Sequence, residues 1–347
     1  MVSSVVGMNS SSAPDQLVIR TQGLTRHFTR HKKTVEAVRG LDLEVRDGEL
    51  VAFLGPNGAG KSTTLRMLTT LIEPTSGSAH VAGYDVVRQR REVRRSIGYV
   101  GQGNAAGHQQ RGRDELVSQG RAFGLSRAAA YGRAEELLDA FDLTEQAMRP
   151  VSTLSGGQRR RLDVAIGLVH TPRLLFLDEP STGLDPQNRA NLQDQIRRLH
   201  DEQGTTIVLT THYLEEADAI ADRVVVIDHG EVIADDTAVA LKSGLGDLVT
   251  LGFADEAAAV LAAEGASWAL GDNASVSRTG TTVRARAAGA ANRVAKFVTD
   301  LDVAGAPVRR VEVASATLDD VFLELTGRSL RENDQTDPTH STQGEAA

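Results

Sequence analysis

Gly55-Pro56-Asn57-Gly58-Ala59-Gly60-Lys61-Ser62-Thr63 is a run whose residue types and spacing suit gripping a polyphosphate. It has the form G-x-x-x-x-G-K-[ST], in which glycines let the backbone bend until several N–H groups converge on one anion. The start of the following helix adds the positive end of its dipole. Lys61 supplies a mobile charge for β- and γ-phosphates, and the Ser62 hydroxyl can coordinate Mg²⁺. A Gly-rich turn with a surface lysine would read alike in isolation. The flanks decide against it: Val51–Leu54 reads as a strand and Ser62–Ile72 as a helix, the context such a loop requires.

A second centre of chemistry is Leu174-Leu175-Phe176-Leu177-Asp178-Glu179-Pro180, a short apolar run closed by two carboxylates. So short and continuous a run suits a strand buried on both faces of a parallel sheet. Ligands of open α/β sheets collect at the carboxyl ends of strands, where this pair emerges. Two adjacent acids are often no more than a solvated strand end. In a chain with a phosphate loop they read instead as a divided pair, Asp178 holding Mg²⁺ through water or Ser62 and Glu179 polarising an attacking water.

Between these motifs lies Leu154-Ser155-Gly156-Gly157-Gln158, by itself a turn into a helix capped by Ser155. With it in place the chain resembles the ATP-binding subunit of an ATP-binding-cassette (ABC) transporter. The resemblance implies that Ser155, Gly156, Gly157 and Gln158 touch the γ-phosphate of ATP held by a second copy of the chain, in a head-to-tail pair. It further implies that Gln102, after Ile97–Gly101, touches Mg²⁺ and the attacking water. Asp185, in Thr182-Gly183-Leu184-Asp185, belongs to the loop through which two subunits sense each other's site. His212, after Ile207–Thr211, contacts the γ-phosphate. The matching position for an aromatic that stacks on adenine is Phe28; a core phenylalanine at a strand end is the plain alternative. A lone glutamine or histidine carries little weight, and it is the ordered set over Gly55 to His212 that carries the resemblance.

The elements that must position these residues follow. The expected fold is α/β, a P-loop NTPase domain of the ABC type with a helical subdomain, followed by a small C-terminal α+β domain. Residues 1–15 are expected to be disordered and 16–243 to form the ATPase domain. Its helical subdomain, about 104–160, is the part that meets the membrane partner in the family. Gly103–Arg113 is more polar than the family's usual apolar run. After Gly244 strands are expected at Leu248–Phe253, near Trp268–Val276, at Thr281–Ala285 and at Val308–Val313. Helices are expected at Asp255–Ala263, around Val294, Phe297, Val298 and Leu301, and at Thr317–Thr326. The order β-α-β-β-α-β reads as a split βαβ domain over 244–329. Its ending, Leu318–Arg328, resembles the tail of drug-resistance subunits of the daunorubicin/doxorubicin exporter type. Residues 330–347 are expected to be disordered.

The 347 residues include no cysteine, which excludes disulfides and thiolate metal sites, and a formal net charge of −8 argues against a protein built to hold nucleic acid. Arg88, Arg90, Arg91, Arg94 and Arg95 read as the solvated face of a short helix. Arg159–Arg161 read as partners of neighbouring acids or of an interface, Trp268 as core of the small domain, and Glu215, Glu216 and Asp218 as exposed first turns of a helix. No apolar run approaches the ~20 residues that span a bilayer, and the first residues have neither the basic nor the apolar region of a signal peptide. The expectation is an ATPase with ATP and Mg²⁺ as cofactors, held at the cytoplasmic face of the membrane by a separate multi-span permease. It would power efflux of an anthracycline-like drug. A lipid, polysaccharide or peptide cargo is an alternative, as is an ATP-switched factor with no membrane partner. Two cassettes or a long coiled-coil insertion would favour the latter, and this chain shows neither.

Overall fold

The order of strands in space differs from their order in the chain, and this difference assembles the site. The protein is described by a computed structural model over residues 17–30, 33–103, 106–107, 109–271 and 274–327. The segments 1–15 and 330–347, expected to be disordered, lie outside the described residues, as do Asn104, Ala105 and His108 of the polar segment.

The chain begins with paired antiparallel strands β1 (Leu17–Arg30) and β2 (Lys33–Arg46). There follow β3 (Leu50–Leu54), α1 (Lys61–Leu68), β4 (Ser76–Val81), β5 (Tyr84–Asp85), α2 (Arg90–Ser96) and β6 (Ile97–Val100). A helical stretch comes next, α3 (Gly112–Ala122), α4 (Arg127–Ala140) and α5 (Gly156–Leu168). The chain then alternates through β7 (Leu174–Asp178), α6 (Pro186–Gln203), β8 (Thr206–Thr211), α7 (Leu214–Ile220), β9 (Arg223–Asp228) and β10 (Glu231–Asp236).

Two sheets result, an antiparallel one of order β2-β1-β4-β5 and a six-stranded one of order β10-β9-β3-β8-β7-β6. Every residue of β3, β7 and β8 is buried, which is why these strands read as continuous apolar runs rather than alternating ones. They pair in parallel, so the ends of β3, β6, β7 and β8 open on one edge and carry, respectively, the loop from Gly55, Gln102, Glu179 and His212. Helix α1 buries Leu65, Met67 and Leu68 in a core shared with Ile19, Leu24 and Val38 of the antiparallel sheet and with Phe53, Phe176 and Val208 of the parallel one. It ends at Leu68, short of Ile72, because Thr70 turns left-handed (φ 64°) and the Leu71 N–H folds back to the Arg66 carbonyl at 2.8 Å.

The polar segment after Gln102 has a local explanation. The N–H of Ala106 donates to Asp163 of α5 (3.1 Å) and that of Gly107 to Glu115 of α3 (3.2 Å), both buried carboxylates.

The chain divides into two units between Val232 and Ile233. The second contains α8 (Ala238–Leu245), β11 (Asp247–Gly252), α9 (Glu256–Leu270), β12 (Ser275–Thr279), β13 (Thr282–Ala287), α10 (Ala290–Val303), β14 (Arg310–Ala314) and α11 (Leu318–Thr326). Its antiparallel sheet has order β12-β13-β11-β14, as a split βαβ arrangement requires. Val294, Phe297 and Leu301 of α10 face the core, with Val298 half-buried beside them.

The expectations around Trp268 fail here. Helix α9 runs to Leu270 instead of stopping near Ala263, the strand expected near Trp268–Val276 begins only at Ser275, and Trp268 is 80% exposed rather than core. Ala259, Ala262, Ala266 and Leu270 recur at helical spacing and form the buried face, so Trp268, two residues past Ala266, falls on the opposite side. Small alanines pack this helix closely and leave the indole outside.

Candidate functional site

The loop after β3 wraps round its own lysine. Lys61 Nζ donates to the carbonyls of Gly55 (2.7 Å) and Pro56 (3.0 Å), and the side chain is buried. Gly60 makes this curvature possible. It has φ 106°, and a Cβ there would stand 2.4 Å from the Ala37 carbonyl oxygen. Gly60 is also the N-cap of α1 and provides no side chain to occupy the first N–H groups, which leaves the helix end to an anion. Asn57 and Gly58 are exposed, Pro56 and Ala59 buried, and Thr63 half-buried at the first turn of α1.

Beside the loop the acids are organised. Asp178 Oδ1 accepts from Ser62 Oγ (2.7 Å) and from Thr210 Oγ1 (2.8 Å), while Gln102 Nε2 donates to Ser62 Oγ at 3.3 Å. Asp178 Oδ2 is buried with no hydrogen-bond partner. A buried carboxylate oxygen without a donor is costly, and a hard cation next to Ser62 would satisfy it. Ser62, Asp178 and Gln102 therefore fit Mg²⁺ by donor chemistry and by need.

Glu179 lies just past β7 in a left-handed conformation, φ 47°, at a cost of ~1–3 kcal/mol for a residue with a Cβ. The Thr210 hydroxyl accepts its N–H at 2.9 Å, and Thr182 Oγ1 donates to its Oε2 at 3.2 Å. His212 Nδ1 stands 3.8 Å from Glu179 Oε1, beyond hydrogen-bond length and within electrostatic reach. The imidazole beside it, opposed by burial and assisted by Lys61 and Thr182, holds the Glu179 carboxyl below its ordinary range. A carboxylate kept ionised is suited to orienting and polarising a water.

The remaining candidates lie apart from this cluster in their bonding. Ser155 and Gln158 complete a capping box on α5: Gln158 N–H donates to Ser155 Oγ (3.2 Å) and Ser155 N–H to Gln158 Oε1 (3.0 Å). A Cβ on Gly157 would sit 2.4 Å from Asn188 Oδ1, so the starts of α5 and α6 touch. Asp185 caps α6 through the Asn188 N–H at 2.9 Å and is exposed. Phe28 is 39% exposed, not core, with the Arg26 guanidinium 4.6 Å from its ring centroid.

Three residues belong here that sequence reading placed elsewhere or passed over. Thr210 bridges both acids; its signal in the sequence was a hydroxyl near the end of an apolar run. Glu216 is buried rather than exposed, accepts from Ser181 Oγ at 2.7 Å, and has its carboxyl pushed up by burial against the Thr211 and Ser181 hydroxyls. Arg160 is buried and bonds backbone carbonyls instead of acids. Of the arginines on and before α2, Arg94 donates to Thr70 Oγ1 (2.7 Å) and Arg90 pairs with Glu73. With Arg91, Arg95, Phe123 and His170 they line a groove of about 790 Å³.

The chain is similar to known proteins. Residues 38–182 match the ABC transporter family. The daunorubicin/doxorubicin resistance ATP-binding protein DrrA of Streptomyces peucetius is 44% identical over 89% of this chain and 92% of its own length. The linearmycin resistance ATP-binding protein LnrL of Bacillus subtilis (strain 168) is 34% identical over 87% of this chain and 96% of its own. Among solved structures, a dimeric bacterial ABC transporter cassette superposes with a TM-score of 0.59 at 25% identity, covering 63% of this chain and 98% of that one.

Proposed function

The chain belongs to the ATP-binding subunits of ABC transporters, and from that premise we propose that it is the ATP-hydrolysing subunit of an exporter driving drug or antibiotic efflux through a separate permease. The observation that carries the chemistry is the joined set Ser62–Asp178–Thr210 with Gln102, Lys61, Glu179 and His212 at one sheet edge. The observation that carries the cargo class is the likeness to drug-resistance subunits over nearly the whole chain.

In this reading Lys61 and the first N–H groups of α1 bind the β- and γ-phosphates, and Phe28 stacks on the adenine. Ser62, Asp178 and Gln102 would hold Mg²⁺, which when bound offsets charge on the transferred phosphoryl. Glu179 orients the attacking water and His212 contacts the γ-phosphate. Ser155 to Gln158, together with Asp185, face the nucleotide of a second copy in a head-to-tail dimer. Catalysis is then positioning plus electrostatics, with no covalent intermediate.

No helix among the described residues is long and apolar enough to cross a membrane. The arginine-lined groove between α2 and α3, with exposed Phe123 at its edge, supports docking of an acidic cytoplasmic segment of the permease, which would hold the subunit at the inner membrane face.

The test is Glu179→Gln. The variant is expected to bind ATP, hydrolyse it about 10³-fold more slowly and accumulate as a dimer on size exclusion with ATP. Wild-type turnover would remove Glu179 from this role. Co-purification of one polytopic membrane protein from detergent-solubilised host membranes tests the partner, and recovery of ribosomes or nucleic-acid factors instead would overturn it.

A further inference from the structure

Helix α5 does more than present Ser155 and its neighbours. Arg160 is only 8% exposed, and all three nitrogens of its guanidinium donate to main-chain carbonyls. Nε donates to Pro180 O at 2.7 Å, Nη1 to Gly101 O at 2.7 Å, and Nη2 to Asp178 O at 3.2 Å and Glu179 O at 3.3 Å. One rigid plane thus spans the residue preceding Gln102 and the run Asp178-Glu179-Pro180. A turn further along α5, Asp163 accepts the Ala106 N–H at 3.1 Å, so the helix holds the loop bearing Gln102 on both sides. Burial weakens the hold of Arg160 on its proton, and the carboxylates Asp163, Asp178 and Glu216 around it oppose that effect.

We propose that Arg160 is a positioning residue that couples the α5 end facing one nucleotide to Gln102 and Glu179 facing the other. The basis is the short rigid path: Arg160 lies five positions past the Ser155 cap, about 7.5 Å of helix at ~1.5 Å per residue. The guanidinium fork has fixed donor directions. A displacement of the helix start on engaging a γ-phosphate is therefore transmitted to the carbonyls of Gly101, Asp178 and Glu179 without a flexible intermediary. A left-handed Glu179 needs such over-determination to hold its geometry. Lysine is no substitute, because three donors radiating from one point cannot serve carbonyls set along a plane.

The coupling rests on the head-to-tail reading above, and the two are separable. ATP-dependent dimerisation of Glu179→Gln tests that reading without touching Arg160. The experiment for Arg160 uses full-length protein carrying Arg160→Lys, with Arg161→Gln, whose parent donates to the Phe141 carbonyl, as control. Fluorescent-ATP titration and steady-state hydrolysis are measured on each. Arg160→Lys is expected to keep its ATP Kd within about twofold and lose about 100-fold in kcat, the scale of an ångström-sized misplacement. The control is expected to match wild type in both.

Ser155→Ala, Arg160→Lys and the double variant then form a cycle. Losses in kcat well short of additive are expected, because both residues act through one helix. Three results would overturn the proposal: wild-type kcat in Arg160→Lys, parallel loss of Kd and kcat, or a strictly additive cycle. Should Arg160→Lys not fold by circular dichroism, Asp163→Asn, which weakens the other grip on the same loop, carries the measurement with the same expected split of kcat from Kd.

Discussion

Two helices of the first unit begin at the stretches proposed to meet phosphate, and they are finished in opposite ways. Helix α1 starts from Gly60, which has φ 106° and no side chain to cap it. Helix α5 starts from Ser155 and closes a full capping box with Gln158. An uncapped N-terminus inside a tight loop has unsatisfied donors and a strong preference for an anion. A self-capped one is stable without a ligand and can still offer the Ser155 hydroxyl proton and glycine N–H groups. Under the proposed function the difference implies an order of events: α1 with Lys61 would capture nucleotide within one subunit, and α5 would add to it only when a second subunit arrives.

The largest test of this contrast is Lys61→Ala. It is expected to weaken ATP binding about 100-fold, the loss of charge-assisted hydrogen bonds to phosphate, and unchanged affinity by fluorescent-ATP titration would erase the distinction between the two helix ends. Ser155→Ala should act differently in kind. The ATP Kd of the monomer is expected to hold while kcat falls about tenfold, and loss of the cap should lower unfolding stability by ~1 kcal/mol. A drop in monomer affinity matching that of Lys61→Ala would break the comparison. Phe28→Ala sharpens the α1 side, because stacking on adenine worth ~1 kcal/mol predicts a roughly fivefold weaker Kd. Smallest of all is Trp268→Ala, in neither helix, expected within ±0.5 kcal/mol of wild-type stability. As the sole tryptophan, Trp268 should also be quenched freely by iodide, and a shielded indole would restore it to the core.

Much of the site was legible because each motif combines a strand end with a chemistry-bearing residue. Continuous apolar runs at β3, β7 and β8 announced strands buried on both faces; Lys61 and Ser62 lie one loop past β3, Asp178 ends β7, and Glu179 and His212 come immediately after β7 and β8. The misreadings share one cause. Glu216 looks exposed in sequence because it stands in an acidic first turn, yet α7 packs it against Ser181. Arg159, Arg160 and Arg161 are indistinguishable as letters, and only the rotation of α5 sends Arg160 inward. Trp268 looked like core because large aromatics usually are, whereas the alanine face of α9 had already filled that side.

The sequence by itself determined the phosphate loop, the carboxylate pair, the Ser155 cap and the β-α-β-β-α-β order of the small unit, since each is written in neighbouring residues. Tertiary structure alone decided which of these meet. Strand β8, later in the chain than β7, inserts between β3 and β7, and its register sets Thr210 opposite both Phe53 and Asp178. That placement lets one hydroxyl orient Asp178 and Glu179 beside Ser62, across 116 residues of chain. Pairing of distant strands depends on register and burial in three dimensions, which local periodicity does not encode.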